Sequence, residues 1–341
     1  MNKQYTVTLT LPNGKRKYFR GNTKKEAEAK RDAAKAELAK GVDIGDDSTV
    51  AEFAEMWLKD YKEGTVRDVT LRNLRSHVYT YIIPSLGRIK VRDLKPAHVQ
   101  HMLRELPISK SSQSVVLGTL RSIMEVAVEN EIVPRNPCAK SVKPSGDTPK
   151  ERVPLTADEV TQLVDEAKTT RLYPFVLLAL NAGLRRSEVL GMMWSDIDFQ
   201  KGTVAVCRNL VYTQEGDSLS TDLKSVAAHR TIPIPLSVVS ELSKLKEQSK
   251  SLYILSAENG AVLTISGFQF QWSSLTARLP FHVHPHLLRH TCITNWFERG
   301  LDIKEVQYLA GHSRSSITLD VYTHYNASAR LDTTAKKIQV M

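Results

Sequence analysis

Residues 182–188 read Ala-Gly-Leu-Arg-Arg-Ser-Glu, and this stretch decides how the C-terminal half of the chain is interpreted. It follows the apolar run Leu172–Asn181, which predicts a buried helix that ends at Gly183. A second, shorter helix is predicted to begin directly afterwards. Arg185 therefore lies at a junction between two helices, with Glu188 three residues further on. A single arginine after a glycine has little weight alone, so the neighbouring motifs decide its meaning.

Three further features follow in order along the same part of the chain. Lys224 comes shortly before a predicted strand. His286 and Arg289 are one turn apart, on one face of a predicted helix. His312 follows a glycine and precedes Tyr322 by ten residues. Each feature carries little weight singly, and their joint occurrence in this order supports one interpretation.

Together these motifs resemble the tyrosine recombinases, the family of phage and mobile-element integrases. The resemblance covers the whole chain and rests on G-L-R-x-x-E, a hairpin lysine, H-x-x-R, G-H and a following tyrosine. It implies a site-specific DNA recombinase that cuts and rejoins strands through a 3′-phosphotyrosyl intermediate and a Holliday junction. Such an enzyme integrates and excises a mobile element or prophage. No metal and no other cofactor is implied, because the enzyme–DNA ester keeps the bond energy.

The resemblance also gives each motif residue a role. The implied catalytic residues are Arg185, Lys224, His286, Arg289, His312 and Tyr322. The arginines bind the non-bridging phosphate oxygens through permanently charged, planar guanidinium groups. One histidine assists proton transfer or orientation, and the other donates a hydrogen bond to the phosphate. The tyrosine is the nucleophile, the lysine protonates the leaving 5′ oxygen, and Glu188 braces the arginine-bearing turn.

Several alternatives remain open at this point. Tyr325, one turn after Tyr322, is the alternative nucleophile, whereas Tyr308 is interpreted as a packing residue. A DNA-binding protein without catalytic activity would be expected to lack part of the motif set. A type IB topoisomerase-like enzyme shares the chemistry but relaxes supercoils without a partner duplex. All six family positions carry the expected residue types, which argues against the first of these classes. The basic N-terminal unit described below favours recombination over the second.

A metal site is not predicted, although four histidines lie between His282 and His290. No cysteine occurs among them. The nearest carboxylates, Glu298 and Asp302, follow without a recognised metal-ligand spacing. The three cysteines of the chain are scattered, which argues against a disulfide scaffold and fits a reducing compartment.

The positive charge is concentrated at the N-terminus. The 341 residues contain 47 Lys or Arg and 37 Asp or Glu, a formal net charge of +10. Residues 1–41 alone hold eleven Lys or Arg and four Asp or Glu, a net charge of +7. The remaining 300 residues are therefore nearly balanced. A local basic excess of this kind favours a polyanionic partner, most simply DNA.

This basic unit is predicted to be a β-hairpin followed by a helix. Alternation over residues 5–11, an Asn-Gly turn and a capping box at Thr23 support those elements. A basic two-stranded ribbon fits the DNA major groove, although a solvated basic face is the simpler alternative. The candidate DNA contacts are Lys15, Arg16, Lys17 and Arg20. The family resemblance implies a three-stranded sheet here, of which the sequence shows two strands.

The fold class expected is multidomain, mainly α with small β. Residues 1–45 are predicted to be an arm-type DNA-binding domain with its linker, and residues 46–148 a helical core-site-binding domain. Residues 149–341 are predicted to be an α+β catalytic domain, with an oligomerisation segment at 326–341. Its predicted strands are 197–199, 203–212 and 229–234, and capping boxes open helices at Thr156 and Asp302.

The expected partners follow from the same resemblance. They are double-stranded DNA with core and arm sites, further copies of the chain in a homotetramer on DNA, an excisionase and a host DNA-bending protein. No apolar run approaches the length of a membrane span, so no membrane partner is expected. The N-terminus lacks an apolar signal core, and a cytoplasmic location in a bacterial cell is expected.

Overall fold

The chain divides into two compact units, Met1–Glu151 and Arg152–Met341, in a computed structural model. The structure describes residues 4–11, 14, 16–39, 47–138, 140, 142–145, 153–221, 229–312 and 318–319. Three of the predicted functional residues, Lys15, Lys224 and Tyr322, lie outside these ranges. The alternative nucleophile Tyr325 and the segment 326–341 also lie outside them.

The first unit begins with the predicted hairpin and helix. Strands β1 (Tyr5–Thr10) and β2 (Arg16–Gly21) pair antiparallel, and helix α1 (Lys24–Leu38) follows. Leu9 and Phe19 pack on one side of the hairpin with the apolar residues of α1. The described residues here form two strands, where the resemblance implies three.

The rest of the first unit is helical, as the 3.6-residue periodicity predicts. Its helices are α2 (Val50–Met56), α3 (Asp68–His77), α4 (Ile83–Leu86), α5 (Pro96–Glu105) and α6 (Lys110–Glu129). Single π-helical turns extend α2 to Lys62 and join α3 to α4. A capping box between Thr49 and Glu52 opens the first of these helices. The buried faces form one apolar core, which includes the fully enclosed Trp57.

The described residues of the second unit include seven α-helices, which pack around a core of their own. They are α7 (Ala157–Lys168), α8 (Tyr173–Ala182), α9 (Arg186–Leu190), α10 (Leu236–Gln248), α11 (Ile265–Thr276), α12 (Pro285–Glu298) and α13 (Ile303–Ala310). Helix α8 is apolar all round and packs against α12. This core includes three buried tryptophans, Trp194, Trp272 and Trp296.

Two small sheets complete the second unit. Strands β3 (Ile197–Asp198), β4 (Thr203–Val206) and β7 (Arg230–Pro233) form an antiparallel sheet in the order β3-β4-β7. A separate hairpin pairs β5 (Asn209–Thr213) with β6 (Gly216–Ser220).

One strand prediction was wrong in detail. The strand expected over 203–212 is broken at Cys207 and Arg208, whose side chains both bond the carboxylate of Asp196. Strand β6 was not predicted, because its sequence, Gly-Asp-Ser-Leu-Ser, lacks the apolar alternation that marks a strand. No helix within the described ranges is both long and apolar enough to cross a membrane.

Candidate active site

The turn between α8 and α9 places Arg185. Gly183 ends α8 in the left-handed conformation, with φ of +58°. A Cβ at this position would lie 2.9 Å from the ring of Trp296, so glycine is required for both reasons. Arg185 then caps α9, and its backbone N–H donates to Glu188 Oε2 at 2.8 Å. Its guanidinium Nη1 donates to Glu188 Oε1 at 2.7 Å, so Glu188 braces this turn.

Helix α12 carries the second motif. Pro285 occupies its first turn, and His284 Nδ1 accepts a hydrogen bond from the backbone N–H of Leu287. His286 and Arg289 are one turn apart, as predicted, but their surroundings differ. His286 is partly exposed, whereas Arg289 is 1% exposed. The sequence pattern predicts their spacing but not this difference in burial.

Three arginines donate to three consecutive backbone carbonyls at the C-terminal end of α13. Arg230 Nε donates to the carbonyl of Leu309 at 2.7 Å. Arg289 Nη2 donates to that of Ala310 at 2.6 Å, and Arg185 Nη2 donates to that of Gly311 at 2.7 Å. Carbonyls at a helix C-terminus lack intrahelical donors and carry partial negative charge, so guanidinium groups stabilise them. These hydrogen bonds fix the chain just before His312.

Arg230 is a site residue that the sequence analysis missed. Its side chain is fully buried and forms a two-pronged ion pair with Glu188, at 3.1 and 3.0 Å. Burial alone would raise the pKa of Glu188, but the hydrogen bond and charge of Arg230, with Arg185, hold it below its usual value. A signal was available: Arg230 alternates with Ile232 and Ile234, which marks an inward-facing position on the strand.

His312 is buried beside these arginines and is 7% exposed. Its Nδ1 lies 2.9 Å from Oγ1 of Thr318, a fully buried residue that the sequence analysis also missed. Burial lowers the pKa of His312 to about 3, and the charges of Arg289, Arg185 and Arg230 contribute. The imidazole is therefore neutral at physiological pH.

An open pocket of about 310 Å³ adjoins this cluster. It is lined by Leu184, Arg185, Arg186, Ser187, His284, Pro285 and His286. Two of the predicted catalytic residues, Arg185 and His286, therefore share one cavity. Burial, followed by the charge of Arg185, lowers the pKa of Arg289 to about 9, so this guanidinium remains protonated at neutral pH. The surroundings of the pocket are cationic and suited to an anion.

The N-terminal candidates do not form one surface. Arg16 and Arg20 lie on the exposed face of β2, with Tyr18 between them. Lys17 alternates to the other face, where its Nζ lies 3.9 Å from the carboxylate of Asp47. Of the three candidates that the structure describes, Arg16 and Arg20 therefore share a face and Lys17 does not.

Two expectations outside the cluster can also be compared with the structure. Tyr308, interpreted as a packing residue, is 56% exposed, because its side chain faces away from the buried side of α13. Within the described part of the chain, no group of three or more His, Cys, Asp or Glu residues could hold a metal ion.

Comparisons with known proteins identify the class. Residues 154–329 match the phage integrase family, and residues 49–106 match the N-terminal SAM-like domain of phage integrases. A protein of Caldanaerobacter subterraneus described as tyrosine recombinase XerC-like is 30% identical, over 94% of this chain and 92% of its own. The class is therefore that of the tyrosine-type site-specific recombinases. The chain belongs to the phage integrase family, and the predicted family and enzyme class are confirmed.

Solved structures agree on the fold. The integrase of transposon Tn1549, in complex with circular intermediate DNA, gives a TM-score of 0.75 over 86% of this chain and 99% of its own, with 20% identity. A lambda integrase tetramer bound to a Holliday junction gives 0.61 over 93% of this chain and 94% of its own, also with 20% identity. The predicted fold class, mainly helical with small sheets, is confirmed.

Proposed function

We propose that this recombinase cuts and rejoins DNA through a 3′-phosphotyrosyl intermediate, and that it integrates and excises a mobile element or prophage. The observation that carries the proposal is the pair of guanidinium groups of Arg185 and Arg289, with the neutral imidazole of His312, beside the pocket that contains His286. A DNA phosphodiester is a stable monoanion, and its transfer requires preorganised donors around the non-bridging oxygens.

The proposed chemistry assigns one task to each group. Arg185 and Arg289 bind the non-bridging oxygens of the scissile phosphate. The neutral imidazole of His312 donates a hydrogen bond to the same phosphate, and the more accessible His286 assists proton transfer or orientation.

The nucleophile and the general acid complete the reaction. The phenolic oxygen of Tyr322 gives up its proton, with His286 as the acceptor, and forms a bond to phosphorus while the bond from phosphorus to the 5′ oxygen breaks. Lys224 gives a proton to that 5′ oxygen. The 5′ hydroxyl of a partner strand then attacks the phosphotyrosine and releases the tyrosine. The ester keeps the bond energy, so the reaction needs neither nucleotide nor metal.

We infer that each part of the chain has a separate task. Residues 1–45 bind arm sites, 46–148 bind core sites, and 149–341 perform the chemistry. Two rounds of exchange on two duplexes require four active sites, so a homotetramer on DNA is proposed, with 326–341 contacting a neighbouring subunit. The tetrameric lambda integrase on a Holliday junction supports this assembly. An excisionase and a host DNA-bending protein would set the direction.

Strand exchange between two labelled duplexes tests the proposal. Sites are first recovered from a random-sequence duplex pool by binding to the full-length protein. Two duplexes of different length carrying the recovered site should yield recombinant products, a four-way junction and a covalent protein–DNA adduct. If the protein relaxes a supercoiled plasmid but exchanges no strands between the two duplexes, it is a topoisomerase-like enzyme instead. Binding without any adduct would indicate a non-catalytic DNA-binding protein.

The exposed face of β2 should contribute to arm-site binding. Replacing Arg16 and Arg20 together by Glu should weaken binding to an arm-site duplex. The logarithm of the binding constant falls linearly with the logarithm of the salt concentration. The slope of this line should become shallower by about one unit for each phosphate that the protein no longer neutralises. Cleavage of an isolated core site should survive. Fluorescence anisotropy at several salt concentrations measures the affinity and its slope.

A variant on α1 is the matched control for this face. The double variant Lys25→Glu and Lys35→Glu makes the same change in net charge at a different place on the basic unit. Its arm-site affinity should fall less than that of the β2 variant. An equal loss in the two variants would contradict the assignment of arm-site binding to the exposed face of β2.

A further inference from the structure

Thr318 is buried against His312 and has no role in the mechanism above. The Thr318 side chain is fully enclosed, His312 is 7% exposed, and Oγ1 lies 2.9 Å from Nδ1. Gln307 fixes the backbone of His312, because its carbonyl accepts from the N–H of His312 and its Nε2 donates to the carbonyl of His312. Among the described residues, the side chain that hydrogen-bonds the ring itself is Thr318.

The protonation state of the His312 ring determines what its contact with Thr318 can do. A neutral imidazole has one N–H, and the nitrogen that carries it determines whether the other can donate or accept. Among the groups near His312 are the guanidinium groups of Arg185, Arg230 and Arg289 and the imidazole of His286. None of these is an anion that would favour a doubly protonated ring.

The substrate requires one tautomer. Non-bridging phosphate oxygens only accept hydrogen bonds, so His312 can assist them only if Nε2 carries the proton. Nδ1 is then a lone-pair acceptor inside the protein, and a buried acceptor without a donor is unfavourable. A threonine hydroxyl at 2.9 Å can supply that donor.

We propose that Thr318 is a positioning residue, which donates its hydroxyl proton to Nδ1 and thereby holds His312 in the Nε2–H tautomer that faces the scissile phosphate. This inference rests on the proposed function of His312. Thr318 itself does not touch the substrate and acts through the imidazole.

The matched variants are Thr318→Val, which removes the hydroxyl at nearly constant volume, and Thr318→Ser, which keeps it. In ¹⁵N-histidine-labelled protein without DNA, NMR should show a protonated Nε2 and a hydrogen-bonded Nδ1 for the wild type and for Thr318→Ser. Thr318→Val should lose the Nδ1 hydrogen bond. Single-turnover cleavage of a nicked duplex carrying the recovered site should slow about tenfold in Thr318→Val, with unchanged DNA affinity, and recover in Thr318→Ser.

A double-mutant cycle separates positioning from packing. In a His312→Gln background, Thr318→Val should cause no further slowing, because the hydroxyl then has no imidazole to orient. A wild-type ring protonated at Nδ1, a Thr318→Ser variant as slow as Thr318→Val, or a full tenfold effect in the His312→Gln background would each overturn the proposal. If Thr318→Val does not fold, the proposal is still tested by the tautomer of the wild-type His312 ring and by the cleavage rate of Thr318→Ser. Failure of the wild type to form any adduct would instead refute the proposed function.

Discussion

Replacing Tyr322 by Phe should abolish the covalent protein–DNA adduct. Phenylalanine lacks the phenolic oxygen that would bond to phosphorus. DNA affinity should be unchanged, because the two side chains differ by one oxygen. Denaturing gels of a nicked duplex incubated with each protein measure the adduct directly.

Tyr325→Phe is the matched control for this experiment. It makes the same chemical change three residues further along the sequence and should leave adduct formation intact. Adducts that persist in Tyr322→Phe and vanish in Tyr325→Phe would transfer the nucleophile to Tyr325. Adducts that persist in both variants would exclude these two tyrosines.

Replacing Arg230 by Met should lower the free energy of unfolding by about 3–5 kcal/mol. The change leaves the carboxylate of Glu188, whose side chain is 4% exposed, without its principal partner in the protein interior. Urea denaturation followed by circular dichroism measures the loss. The double variant Arg230→Met with Glu188→Gln should recover much of it, because the buried carboxylate charge of Glu188 is then absent. Arg186→Met, at a more accessible neighbouring position, should change stability by less than about 0.5 kcal/mol.

The stability lost in Arg230→Met should also depend on pH. The pKa of Glu188 is lowered in the folded protein, so its ion pair contributes stability above the unfolded pKa of about 4.3. That contribution is lost as the pH falls through the lower, folded value. The stability difference between wild type and Arg230→Met should therefore narrow as the pH falls below about 4.3, because protonation of Glu188 removes the charge that Arg230 pairs with. A difference that stays constant or widens would contradict the role of this ion pair.

Local signals in the sequence predict much of the fold correctly. The capping boxes at Thr156 and Asp302 are present, and each opens the helix expected of it. These signals act over a few residues and do not depend on the rest of the chain. The break at Cys207 and Arg208 was not predictable in this way, because it depends on their bonds to Asp196, an earlier residue outside the strand.

The candidate site also has some features that the local sequence predicts and others that depend on the fold. The motifs identify Arg185, His286, Arg289 and His312, but their order along the chain says nothing about which guanidinium is buried. Thr318 carries no motif of its own, and only the folded structure places it against the imidazole. Strand alternation, by contrast, is enough to predict that the side chain of Lys17 lies on the opposite face of β2 from those of Arg16 and Tyr18.

The hydrogen bonds from three arginines to the end of α13 constrain the amino acid at some positions and not at others. Their acceptors at Leu309 and Ala310 are backbone oxygens, so these hydrogen bonds constrain the path of the chain and not the identity of those side chains. Gly311 differs, because its φ is +62° and a Cβ there would lie 2.8 Å from a guanidinium nitrogen of Arg230. The anchor itself therefore places no demand on the side chains of Leu309 and Ala310, whose identity is constrained instead by packing against the core. At the third position the anchor requires glycine.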